Sequence, residues 1–137
     1  MKSRYSYLDI AKEDLVVAET MLKSNNLNYS VRLCQQYVEK LFKEALVRYG
    51  ATKDDMHLFH THNLHRLSIK FSEIFDVEFS EMDELYFRRL TDYYFNTNYP
   101  GEDYVRVSLE DAEKILERTL QFQSSYEHIL ADENRGR

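Results

Sequence analysis

The sequence predicts an all-α fold, an antiparallel helical bundle of about five helices, and three observations carry that expectation. Apolar residues recur at alternating intervals of three and four along most of the chain, the period of one helix face. Three glycines and one proline punctuate 137 residues, far fewer turn-makers than an all-β chain needs. Hydrophobic residues make up 43% and charged residues 31%, a balance that supports a packed core rather than a disordered chain. The length suits one domain, expected over residues 1–130, with a polar, disordered tail over 131–137.

The first helix carries Leu8, Ala11, Leu15, Ala18 and Leu22 on one stripe, and Ser24-Asn25-Asn26 ends it with turn-forming residues. The second, from about Tyr29 to Tyr49, places Val31, Cys34, Val38, Leu41 and Ala45 on one stripe widened by Tyr37, Phe42, Leu46 and Tyr49. It is expected to be the central helix, with Gly50 as a left-handed C-cap. The pattern lapses from Ala51 to Thr61, and a shorter third helix follows with Leu64, Leu67, Phe71, Ile74 and Phe75. Ser80 with Asp83 marks the start of a fourth, carrying Met82, Leu85, Tyr86, Leu90 and Tyr93. Tyr99-Pro100-Gly101 must be a loop, because the residue before proline is pushed out of helical geometry. Ser108 with Asp111 repeats the cap signature before the last helix, which carries Ala112, Ile115, Leu116, Thr119, Phe122, Tyr126 and Ile129.

Composition narrows the function. Cys34 is the single cysteine, so no intrachain disulfide can form and a buried apolar role in a reducing compartment is expected. A formal net charge of −6 opposes broad charge-driven nucleic-acid binding but leaves room for a local basic pocket. No apolar run approaches a membrane span, and the opening MKSRYSYLDIAKEDL has no apolar signal core, so a cytoplasmic location without a membrane partner is expected. Gly-rich phosphate loops, the G-x-S-x-G elbow and paired-cysteine motifs are absent.

Three groups of residues could carry chemistry. His57, His60, His62 and His65 crowd one short segment, and a third helix begun by His62 would put His62 and His65 one turn apart. Solvated or capping histidines are the reading taken, with no metal and no cofactor expected. On the second helix Gln36, Glu39, Lys40 and Lys43 form a polar strip on an otherwise apolar rod, which suits a solvated face and a ligand-facing one equally. Finally, Tyr94, Asn98, Tyr99 and Tyr104 lie in an aromatic and amide-rich turn that could stack a base and hydrogen-bond its edge. The preferred alternative is a tyrosine plug closing one end of the bundle, with Tyr99 contributing stability through burial.

Together these segments resemble the HEPN domain family (higher eukaryotes and prokaryotes nucleotide-binding). Cys34-Gln35-Gln36-Tyr37-Val38-Glu39-Lys40-Leu41-Phe42-Lys43, preceded by Asp14-Leu15 and Ala18, is similar to the family's Q-x-x-E-K second helix. His62-Asn63-Leu64-His65-Arg66-Leu67 is similar to its H-[D/N]-L-x-x-L segment, and Tyr94 to Gly101 to its R-Y-P turn. Ser108-Leu109-Glu110-Asp111-Ala112 resembles the start of its last helix, so the likeness spans roughly residues 7–130. Two departures matter. Asn98 stands where the turn commonly carries arginine, removing a cationic fork suited to phosphate. The ribonuclease members' arginine followed after four to six residues by histidine is absent; the nearest pair, Arg118 and His128, has nine residues between.

The resemblance therefore implies a non-catalytic module, a homodimer as relatives often are. It would bind a nucleotide, an RNA or a partner protein such as a nucleotidyltransferase in a toxin–antitoxin-like pair. Two alternatives stay open: a ribonuclease-like toxin using a non-standard site around His62, His65 and Tyr94, and a structural homodimer without ligand.

Overall fold

The computed structural model describes residues 6–50 and 52–135. Five α-helices follow one another: α1 (Tyr7–Lys23), α2 (Leu27–Tyr49), α3 (Leu64–Phe75), α4 (Glu81–Asn96) and α5 (Leu109–Arg135). A 3-10 helix, Lys53–His60, fills the segment where the apolar period lapses, an element the sequence pattern did not reveal because its turn is too tight for the 3.6 period. No strand occurs among the described residues.

Local chemistry sets the helix boundaries. Ser6 and Asp9 close a reciprocal capping box at the start of α1, and Ser80 with Asp83 does the same for α4. Ser108 accepts from the Asp111 N–H at the head of α5. Between α1 and α2 the chain reverses over three residues: Asn25 adopts left-handed φ 63°, and the Asn26 N–H reaches back to the Met21 carbonyl at 2.8 Å, satisfying a helix-end carbonyl. Gly50 does end α2, but its φ of 167° is extended rather than left-handed. Glycine suits the position for space as well, since a Cβ there would press on Ile74 at 3.3 Å. α5 continues to Arg135, into the segment expected to be a disordered tail; residues 136 and 137 lie outside the described residues.

α2 packs against α1, α3, α4 and α5 and forms the axis of the bundle. Its Val31, Cys34, Val38, Phe42, Ala45 and Leu46 are fully buried. The Phe42 ring is the hub, meeting Phe71 of α3, Phe87 of α4 and Phe122 of α5 edge-on with centroids 5.2–5.4 Å apart, the geometry that aromatic quadrupoles favour. Buried hydroxyls find partners: Tyr126 donates to the Leu41 carbonyl, Ser30 to that of Ala18, and Tyr86 pairs with Thr119. On α4 the apolar row departs from expectation. Met82 and Leu85 are 71% and 59% exposed, whereas Phe87 is fully buried. The core-facing stripe is set by contact with α2 and α5, not by hydrophobicity alone.

Candidate functional site

The H-N-L segment has a physical explanation in the fold. Asn63 is the N-cap of α3, accepting from the Arg66 N–H, and Leu64 and Leu67 are fully buried beneath it. His62 therefore precedes the helix and turns toward α2, so it shares no helical face with His65. Its Nδ1 lies 2.9 Å from Glu39 Oε1, and because a carboxylate only accepts, Nδ1 carries the proton. Among the described residues Nε2 has no partner, and the His62 side chain is 45% exposed.

Glu39 is 7% and Lys43 4% exposed, one turn apart on α2 and joined at 2.8 Å. Gln35, fully buried, donates one amide to both Glu39 Oε1 (3.1 Å) and the His62 carbonyl (2.9 Å). The Gln35 Oε1 atom is left without a partner. The carboxylate thus holds three donors: an amide, an ammonium and an imidazole. Such a network is costly to bury and adds little stability over apolar packing, which distinguishes this helix face from the rest of α2.

The His62 ring lies against Tyr94 of α4, centroids 4.8 Å apart. Burial, then the Glu39 carboxylate and Tyr99, push the Tyr94 phenol above its ordinary pKa, with Arg32 opposing. The Asn98 amide donates to the Tyr94 carbonyl at 2.9 Å, and Arg32 Nη1 of α2 donates to Asn98 Oδ1 at 2.5 Å. The turn that lacks its own arginine therefore receives a guanidinium from α2. That pairing, across 66 residues, leaves no local signature.

The structure brings together Glu39, Lys43, His62, Tyr94 and Asn98. It separates Lys40, which faces the other way to pair with Asp14 of α1 at 2.5 Å, and Gln36, half-buried without a hydrogen bond among the described residues. Tyr99 is 62% exposed, so it buries too little to act as a plug. Tyr104, 46% exposed, lines a neighbouring cleft and its hydroxyl accepts from Asn28. Gln35 and Arg32 escaped the sequence reading; the i, i+4 spacing of Gln35 and Glu39 was the one available signal. Among the described residues no three His, Cys, Asp or Glu side chains gather as a metal-ligand set.

The model of the HEPN domain family matches residues 5–129, nearly the whole chain. The chain belongs to the HEPN family. Compared with curated proteins and with solved structures, this HEPN chain has no match. In this HEPN domain Glu39 of the Q-x-x-E-K segment and His62 of the H-N-L segment meet in one polar cluster, joined by Gln35 from just before the first segment, while that segment's own Gln36 and Lys40 stay outside it. No HEPN helix here, among the described residues, is long and apolar enough to cross a membrane.

Proposed function

We propose that this HEPN domain is a non-catalytic module that binds a nucleotide or a single-stranded RNA segment on the face formed by His62, Tyr94 and Asn98. The supporting observation is that a buried carboxylate is used to orient a half-exposed imidazole. Glu39 fixes the proton on His62 Nδ1 and leaves Nε2 free for a ligand, while the paired rings of His62 and Tyr94 offer a surface on which a base can stack. Asn98 offers amide chemistry at its edge. A fold built for stability alone gains little from this arrangement.

Two measurements on the full chain test the reading. Ligand at a hundred times its dissociation constant raises stability by about 2.7 kcal/mol, so a thermal-shift series with nucleotides and short RNAs is expected to give a rise in Tm. His62→Ala should abolish that rise, measured against the variant's own unliganded Tm, which the lost hydrogen bond to buried Glu39 lowers by a few degrees (about 1 kcal/mol). Absence of any shift with nucleotides and RNA would leave the structural homodimer, read from the molecular mass in solution, as the better account. Pairing with a nucleotidyltransferase is tested by co-expression and co-purification with a neighbouring reading frame of that type.

A second reading draws on the same hydrogen bond. A carboxylate-oriented imidazole with a free Nε2 is suited to general-base chemistry, so His62 could deprotonate a ribose hydroxyl. RNA cleavage in the presence of chelator, lost in His62→Ala, would replace the binding reading with this one.

A further inference from the structure

Beside the His62–Tyr94 face lies a cleft of about 390 Å³ between the start of α2 and the segment leading into α5, within the size range of small-molecule sites. In a chain of 24 acidic and 18 basic side chains, its lining holds two arginines, Arg32 and Arg106, and no carboxylate. Neither guanidinium has an acidic partner among the described residues. Arg32 donates to Asn98 and the Asn28 carbonyl and lies over the Tyr29 ring at 5.1 Å; Arg106 is exposed and makes no ion pair. Most charged contacts elsewhere join opposite signs, as Lys40–Asp14, Lys43–Glu39 and Arg118–Asp83 do.

The backbone that carries Arg106 is held by a clamp. The Asn28 side chain donates to the Val105 carbonyl at 2.9 Å and accepts from the Val107 N–H at 2.8 Å, bracketing Arg106 and fixing an otherwise irregular strand of chain against α2. It also donates to the Tyr104 hydroxyl. The cleft thus combines two planar guanidinium forks with two tyrosines, donors matched to the oxygens of a phosphoryl group. Asn98 links the two regions, bonded to Arg32 on one side and to the Tyr94 carbonyl on the other. Arg32 and Glu39 are seven residues apart on α2, roughly 10 Å along its axis.

We infer that this cleft is the phosphoryl subsite of the same ligand, gripped by Arg32 and Arg106, while its base lies on His62 and Tyr94. The inference rests on the proposed nucleotide or RNA reading and specifies which part of that ligand goes where. A terminal phosphate is the group the two forks suit best, because it carries the most charge and the most free oxygens.

The test compares a short single-stranded RNA bearing a 5′-phosphate with the same RNA ending in a 5′-hydroxyl, by fluorescence anisotropy on the full chain. The wild type should prefer the phosphorylated form by roughly tenfold, one charge-assisted hydrogen bond's worth. Arg106→Gln should erase the preference, read as the ratio of the two affinities within the variant so that any general loss of RNA binding cancels; since Arg106 is exposed and unpaired, the variant keeps its fold. Equal affinities in the wild type, or a preference surviving in Arg106→Gln, would overturn the subsite while leaving the base-binding face intact. If neither RNA binds, inorganic phosphate followed by the arginine side-chain NMR signals decides. A saturable shift at Arg32 lost in Arg106→Gln supports the cleft and places the failure in the His62–Tyr94 reading; no shift overturns both.

Discussion

At the scale of the residue, Glu39 is the position where stability and function pull apart. Its carboxylate is the shared partner of Lys43, His62 and Gln35. Removing it alone, as in Glu39→Ala, leaves a buried ammonium uncompensated and is expected to cost about 3–5 kcal/mol in urea denaturation. Replacing both members, Glu39→Met with Lys43→Met, should recover most of that loss because buried ion pairs rarely outperform apolar packing. The double variant should still lose ligand, because His62 is no longer oriented. A double variant as unstable as Glu39→Ala would show that the network is structural. Cys34 is a simpler case. Fully buried, its thiol is pushed up to about 12 by burial, with Glu19 adding and a hydrogen bond with Thr119 opposing. The native protein should therefore resist alkylation at neutral pH that goes to completion in denaturant; rapid native labelling would contradict the packing around α2.

At the scale of the element, caps and turns carry the testable chemistry. Asp55, in the first turn of the 3-10 helix, accepts from the Thr52 N–H at 2.9 Å and from its hydroxyl, and Lys70 of α3 approaches at 3.4 Å. The Thr52 N–H holds the Asp55 carboxyl below its ordinary pKa, burial opposing and the Thr52 hydroxyl and Lys70 adding. A lowered folded pKa contributes stability above the unfolded value, near 3.8, and that contribution is lost as the pH falls through the lowered one. The stability gap between wild type and Asp55→Asn should thus be constant near neutrality and shrink as the pH drops below about 4. A gap that widened in acid would reverse the assignment. The Tyr94–Gly101 turn behaves differently from a plug: with Tyr99 62% exposed, Tyr99→Ala should change stability by no more than about 0.5 kcal/mol.

At the scale of the whole molecule, one ring ties four helices together. Phe42 of α2 touches Phe71, Phe87 and Phe122, one from each of α3, α4 and α5. Phe42→Ala opens a cavity at their meeting point and is expected to cost about 3–5 kcal/mol, a large part of a domain's stability. Because every helix but α1 loses contact at once, circular dichroism and tyrosine fluorescence should report a single shifted transition. Separate transitions by the two probes would show that the bundle is less cooperative than its shared core implies.

The sequence by itself determined the all-α class, the five α-helices, most of their core stripes and the HEPN membership. These depend on local period, caps and scarce turn residues, which are written in consecutive positions. It also drew attention to Gln36, Glu39, Lys40 and Lys43 as a polar strip on an apolar helix, to His62 within a histidine cluster, and to Tyr94, Asn98, Tyr99 and Tyr104 in an aromatic and amide-rich turn. Only the tertiary structure decided which of them meet. Lys40 turned to Asp14 because α1 packs on that side of α2, His62 turned to Glu39 because α3 begins two residues later than the His62–His65 spacing required, and Arg32 reached Asn98 across 66 residues. Contacts of that range are set by how helices stack, and no run of neighbouring residues encodes them legibly.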